Sequence, residues 1–131
     1  MSKYLKKEDI EFEITFYNGL IEKNPKFAEA FIALGELYTN AGMYEEGLAV
    51  DEQLTQLRPN DPIVLYNLGC SYSLPGFVDK AYRSVKKAIN CGYSDFEHLQ
   101  HDDDLSNLRE DRRFQQYLLR AKDKNPSTSQ E

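Results

Sequence analysis

The chain has 131 residues, of which 40% are hydrophobic and 29% charged, and its formal net charge is −6. This size suits a single domain, and the excess of acidic side chains argues against nucleic acids and anionic membranes, which proteins bind through Lys and Arg. With no apolar run longer than four residues, no secretory signal and two cysteines, the sequence predicts a cytoplasmic protein without a membrane span.

The first predicted element is a helix over residues 9–23. Apolar side chains recur there at spacings of three and four, which gives a helix one apolar face. The residues of this face are Ile10, Ile14, Tyr17, Leu20 and Ile21. We expect this helix to cap the N-terminal side of the fold.

The middle of the chain contains two copies of one sequence pattern, 34 residues apart. The stretch LGELYTNAG at 34–42 matches LGCSYSLPG at 68–76. The identities pair Leu34 with Leu68, Gly35 with Gly69, Tyr38 with Tyr72 and Gly42 with Gly76. Apolar spacing predicts two helices in each copy, and Gly42 suits the end of a first helix, where a left-handed residue is needed. The repetition indicates a helical repeat protein.

This pattern resembles the tetratricopeptide repeat, a helix–turn–helix unit of 34 residues. The matching residues are Phe31, Leu34, Gly35, Tyr38, Gly47 and Pro59 in the first copy, and Leu65, Leu68, Gly69, Tyr72, Ala81 and Ala88 in the second. The resemblance implies an all-α, right-handed α-solenoid with full repeats at 28–61 and 62–92. It also implies that the helix at 9–23 is the second helix of an earlier unit, whose first helix the chain lacks.

Small residues are expected where the two helices of one unit cross. Gly35 should lie near Gly47, and Gly69 near Ala81, because small side chains let two helices approach closely. Asp51 departs from the family pattern, which has an aromatic or large apolar residue at this position. We therefore expect looser packing around Asp51, with its carboxylate facing solvent or accepting a hydrogen bond.

Residues 94–122, here called the capping segment, begin as a third unit and then depart from it. They resemble an ending found on many bacterial tetratricopeptide arrays, with an acidic–Leu–x–x–Leu turn at 104–108 and a helix start at 111–114. The residues expected to cover the last open face are Phe114, Tyr117, Leu118 and Ala121. Residues 1–122 thus form one domain, and the polar residues 123–131 are predicted to be disordered.

The resemblance implies that the first helices of the units line a concave groove that binds a protein or peptide. Its outward positions are Glu29, Ile32, Glu36, Thr39 and Asn40 in the first unit and Ile63, Tyr66, Asn67, Cys70, Ser73 and Leu74 in the second. Ile32, Ile63 and Tyr66 are the predicted anchors, because exposed apolar side chains mark binding sites. In the alternative interpretation, the capping segment folds into the groove and buries these residues.

The groove residues also indicate the chemistry of the partner. Some family members hold a terminal carboxylate through Lys and Asn, but Ile32 and Glu36 occupy those positions here, and Glu36 would repel a carboxylate. An extended peptide of basic or apolar character fits better.

Catalysis, a cofactor and a native metal site are not expected. The sequence has no glycine-rich phosphate loop, nucleophile elbow or metal motif. His98 and His101, next to the aspartates at 102–104, could share a cation, but aspartates also suit helix starts and turns. We therefore expect a non-catalytic adaptor that binds another protein. The alternative is a structural scaffold subunit that forms homo-oligomers through the open ends of its repeat array.

Overall fold

In a computed structural model of the protein, residues 7–124 are described, and this part of the chain consists of helices and turns without β-strands. The elements are α1 (Lys7–Lys23), α2 (Ala28–Asn40), α3 (Tyr44–Leu57), α4 (Pro62–Ser73), α5 (Val78–Asn90), α6 (Phe96–His101), a 3₁₀ turn (Asp103–Leu105), α7 (Ser106–Arg109) and α8 (Arg112–Lys124). Their contacts form two compact units, an N-terminal unit ending at Leu57 and a C-terminal unit beginning at Arg58. Each unit is described by itself.

The helices start at positions that keep the 34-residue period. Helices α2, α4 and α6 begin at 28, 62 and 96, and helices α3, α5 and α8 begin at 44, 78 and 112. The all-α, helix–turn–helix architecture is therefore confirmed. In the third copy the first helix is interrupted, because Asp102 adopts an extended backbone (ψ 115°) and its side chain accepts a hydrogen bond from Asp104 N. This is where the sequence departs from the repeat.

In the N-terminal unit, α2 packs against both α1 and α3. Its apolar face supplies the buried residues Ala28, Phe31 and Leu34, which are joined from α3 by Val50 and Leu54. Helix α1 has no fully buried residue, and the apolar face predicted for it is half-buried. Helix α1 therefore lies at the edge of this unit, as expected for a cap.

The crossing of α2 and α3 holds a buried carboxylate. Asp51 is only 7% exposed, and an ideal Cβ added to Gly35 would lie 2.7 Å from Asp51 Oδ1. A Cβ added to Gly47 would lie 3.6 Å from Gly35 O, so these two glycines do meet at the crossing. The expectation of loose packing and a solvent-facing Asp51 is wrong, because Gly35 leaves room for the carboxylate between the helices.

The turns inside the two repeats are alike. Gly42 and Gly76 have positive φ angles of 79° and 99°, a conformation that glycine adopts without steric cost. After each glycine the next N–H returns to the preceding helix, with Met43 N donating to Tyr38 O at 2.8 Å. The left-handed end predicted at Gly42 is confirmed.

The C-terminal unit has a continuous core built by α4, α5 and the capping segment. At the crossing of α4 and α5, an ideal Cβ on Gly69 would overlap Val85 Cγ2 and lie 3.5 Å from Ala81 O. The core includes Leu65, Ala81, Val85, Ala88, Tyr93, Phe96, Leu99, Leu105, Leu108 and Phe114. The close approach predicted at Gly69 and Ala81 is present, and Val85 fills it.

Helix α8 closes this core through the face that its sequence predicts. Phe114 is fully buried, Leu118 and Ala121 are nearly so, and Tyr117 is half-buried. The helix extends to Lys124, so residues 123 and 124 belong to it and not to a disordered tail, and residues 125–131 lie outside the described part. Within residues 7–124, no helix has the length and apolar character needed to cross a membrane.

Candidate protein-binding surfaces

One face of α2 carries the binding residues predicted in the N-terminal unit. Glu29, Glu36 and Asn40 are exposed there, while Ile32 and Thr39 are half-exposed. Their spacing of three and four residues places them on one side of the helix, away from the buried face formed by Phe31 and Leu34. This face, here called the α2 surface, combines one apolar side chain with two carboxylates.

The start of α4 contributes the exposed part of the set predicted in the C-terminal unit. Asp61 caps this helix by accepting hydrogen bonds from Ile63 N at 2.9 Å and Val64 N at 3.3 Å. The side chain of Ile63 is 57% exposed, which is high for an isoleucine, and Asn67 one turn later is half-exposed. Both are accessible to a partner.

The other predicted residues of α4 are covered by the capping segment. Tyr66, Cys70 and Ser73 are 4%, 7% and 0% exposed, and Leu74 beyond them is half-buried. Leu108 N donates a hydrogen bond to Ser73 Oγ at 3.2 Å, within the core of the unit. The prediction that Tyr66, Cys70 and Ser73 face a partner is therefore wrong. As in the alternative interpretation, the capping segment covers this face of α4, and a partner cannot reach the three residues.

A polar cluster around Asp102 fixes this arrangement. The hydroxyl of Tyr66 donates to Asp102 Oδ2 at 2.6 Å, and the Tyr66 ring stacks on Tyr93 with centroids 4.4 Å apart. Burial, reinforced by this hydrogen bond, raises the pKa of Tyr66 well above its usual range, and burial raises the pKa of Tyr93 to about 12. Both phenols therefore stay protonated at neutral pH, so Tyr66 remains a donor to the carboxylate.

Cys70 and the two histidines also take part in local contacts. Cys70 Sγ lies 3.8 Å from Asp102 Oδ2, and burial together with the nearby carboxylates raises the pKa of this thiol, which makes it a poor nucleophile. His98 Nε2 lies 3.2 Å from the same carboxylate oxygen, whereas His101 Nδ1 lies 3.0 Å from Glu97 O. The two histidines thus have different partners, and a shared cation is not supported.

One group of possible ligand atoms does converge at this point. Cys70 Sγ and carboxylate oxygens of Asp102 and Asp104 lie within 4.8 Å of one another. The contacts of Tyr66 and His98 with Asp102 account for this arrangement as a hydrogen-bonded clasp between α4 and the capping segment. We therefore assign the cluster a structural role.

Two exposed apolar surfaces were not identified as such from the sequence. On α1, Phe12 and Phe16 are 72% and 52% exposed. Their spacing of four residues, opposite the face of Ile10 and Ile14, was the signal that could have revealed them. On α8, Leu119 is 67% exposed at the edge of an apolar groove.

The repeated helical pairs place the chain in the class of α-helical repeat proteins, whose extended surfaces bind other proteins. A family model described as "Tetratricopeptide repeat" matches residues 16–49, which include the end of α1, all of α2 and the start of α3. Residues 16–49 thus match a tetratricopeptide repeat, and the 34-residue period of the helix starts is the period of such repeats.

Three curated relatives are similar to part of this chain. The chain is 28% identical over 79 residues to proteins named "Peroxisomal targeting signal receptor" in Komagataella phaffii and Komagataella pastoris, which covers 60% of this chain and 14% of each relative. A protein of the same name in Pichia angusta is 26% identical over 77 residues, covering 59% of this chain and 14% of the relative. The chain thus spans about one seventh of the length of the curated relatives it matches.

Proposed function

We propose that this chain is a non-catalytic adaptor module that binds a peptide or protein segment of basic or apolar character through the α2 surface. At the coarser level, its repeat class and its relatives mark it as a protein-interaction module. The observation that carries the finer proposal is the placement of Ile32 between the exposed carboxylates of Glu29 and Glu36 on one accessible helix face.

The chemistry of the α2 surface favours positively charged ligands. Glu29 and Glu36 lie seven residues apart, two turns of the helix, so they flank Ile32 along its axis. An apolar side chain of the partner would pack on Ile32 while Lys or Arg side chains pair with the carboxylates. Thr39 and Asn40 at the end of the helix offer hydrogen bonds to an extended backbone. A ligand carboxylate would be repelled by Glu36.

The names of the relatives support recognition of a protein segment. The matched proteins are called receptors for a targeting signal. We propose that the shared repeats serve recognition in this chain as well, in the cytoplasm, with Ile63 and Asn67 as a second accessible set on the C-terminal unit. Tyr66, Cys70 and Ser73 act instead as the internal support of that unit.

A displayed library of random peptides tests the proposal. Peptides selected on the wild-type chain should be enriched in Lys, Arg and apolar residues, and their affinity should fall about 10-fold or more for the variant Ile32→Ser, Glu36→Lys. The matched control is the single variant Glu45→Lys, which keeps Ile32 and makes the same charge change at an exposed position in the first turn of α3.

Two results would contradict the proposal. Enrichment of acidic peptides would show that the carboxylates of the α2 surface do not select the ligand. Equal loss of affinity in the Glu45→Lys control would show that only net charge matters. Circular dichroism of each variant checks that the helices are retained.

A further inference from the structure

We infer that the chain associates head to tail with further copies of itself, with α1 of one copy binding the groove beside α8 of the next. The inference stands on a different observation from the proposed function, namely two exposed apolar surfaces of opposite charge on the first and last helices. Neither surface includes a residue of the α2 surface.

The α1 side of this contact is aromatic and acidic. Phe12 and Phe16 project from one face, 72% and 52% exposed, and so much exposed aromatic area is unusual on a surface that remains free in water. Helix α1 carries five acidic and two basic side chains, a net charge of −3. Glu8 and Asp9 are exposed one turn before Phe12, on the same side of the helix. A ligand for this face must be apolar at its centre and basic at its rim.

The α8 side has the complementary composition. Helix α8 carries five basic side chains and one acidic one, a net charge of +4. A groove of about 250 Å³ opens along it and is lined by apolar side chains together with two cationic and two amide side chains. The groove is lined by Gln100, Arg109, Phe114, Gln115, Leu118, Leu119 and Lys122. Leu119, 67% exposed, lies where an incoming aromatic ring would pack.

Charge decides which pairing is favoured. Two copies of α1 would bring together helices of net charge −3, and two copies of α8 would bring together helices of net charge +4. The pairing of α1 with α8 places opposite charges at the rim and apolar side chains at the centre, the usual anatomy of an interface. The occupant of each surface is therefore the other surface on a second copy.

The predicted contact has a consequence for assembly. The contact joins two different surfaces, so an open assembly always has one unoccupied α1 surface and one unoccupied α8 surface. Further copies can therefore add until the assembly closes into a ring. The average mass should therefore rise with concentration beyond that of a dimer. Added salt should lower it, because the charges at the rim are exposed to solvent.

Mixing two blocked variants tests the inference directly. The first variant, Phe12→Ser with Phe16→Ser, lacks the α1 surface, and the second, Leu119→Glu, places a negative charge in the α8 groove. Because all three side chains are exposed, the folds should be retained. In sedimentation velocity, wild type should associate, each variant alone should do so about 10-fold or more weakly, and the mixture should form a 1:1 complex.

The matched control is Phe77→Ser, which removes an exposed aromatic side chain (52% exposed) outside both surfaces and should associate as wild type does. A wild type that keeps the mass of one chain at all concentrations would overturn the inference. So would association of Leu119→Glu equal to that of wild type, which would indicate pairing of α1 with α1. A mixture of blocked variants that forms no complex would overturn it as well.

Discussion

Gly69→Ala is expected to destabilise the protein, although alanine is the better helix former. In a helix interior the substitution alone would gain about 1 kcal/mol. At Gly69, however, the new Cβ would overlap Val85 Cγ2, and Val85 is fully buried. Because a β-branched side chain in a helix has one strongly preferred rotamer, Val85 cannot turn away, and the helices must separate instead.

The size of the effect follows from these opposing contributions. Overpacking of a core costs about 1–3 kcal/mol, and the upper end applies because Val85 N and Ala81 O are already at contact distance, 3.4 and 3.5 Å from the added carbon. Subtracting the helix gain leaves a loss of about 2 kcal/mol, or about 8 °C in melting temperature for a chain of this size.

Urea unfolding followed by circular dichroism measures the loss, since the chain has no tryptophan to serve as a fluorescent probe. The control is Gly19→Ala in α1, where an added Cβ meets nothing within 4 Å, and which should stabilise by about 1 kcal/mol. Val85→Ala should offset part of the cost in the double variant. A Gly69→Ala chain as stable as wild type would refute the reasoning, as would additive effects of Gly69→Ala and Val85→Ala.

Three further predictions concern the capping segment, each measured by urea unfolding. Asp111→Ala should cost about 1 kcal/mol at pH 7, because Asp111 Oδ1 caps α8 by accepting from Phe114 N at 3.1 Å. Hydrogen bonding from Arg113 lowers the pKa of Asp111, so this stabilisation is present above about pH 4 and is lost as the pH falls through the lowered pKa. A cost of Asp111→Ala that does not decrease as the pH is lowered would contradict this. Tyr66→Phe should cost about 1.5–3 kcal/mol by removing the donor to Asp102, and unchanged stability would show that the clasp is idle. Asp104→Asn should stabilise the protein at pH 7. Burial, together with the neighbouring carboxylates, raises the pKa of Asp104, so its negative charge opposes folding. The gain should vanish below about pH 3, where Asp104 is protonated in the folded and the unfolded state.

The sequence predicted the repeated helices well because their signals are local. Gly42 ends α2 with a left-handed residue, Asp61 caps α4, and the 34-residue period places the helix starts, all features that depend on a few neighbouring residues. For Asp51 the solvent-facing alternative was wrong, since a carboxylate is rarely buried and the room for it is made by Gly35, sixteen positions earlier.

The candidate site was harder to predict, because accessibility depends on contacts between distant segments. Tyr66 lies on the face of α4 that the repeat pattern assigns to a partner, but Asp102, 36 residues later, folds onto it. Helical spacing alone cannot tell an open face from one that its own chain covers. The four-residue spacing of Phe12 and Phe16 could have predicted an exposed aromatic face. The longer apolar pattern that includes Ile10 and Ile14, on the opposite side of α1, gave the stronger periodic signal.

Asp102 also determines how such a chain can lengthen by duplication. A copied 34-residue unit inserted upstream of residue 94 would leave the interrupted helix after the last repeat. The carboxylate of Asp102 would then accept a hydrogen bond from the tyrosine of the repeat that precedes it, as it does now from Tyr66. Beyond Asp102 the first helix of the third copy is interrupted, so a unit appended within the same chain would not continue an unbroken series of first helices. Within one chain, the aspartate therefore marks where the regular series of repeats is interrupted, whereas contact with another copy would use the exposed groove beside α8.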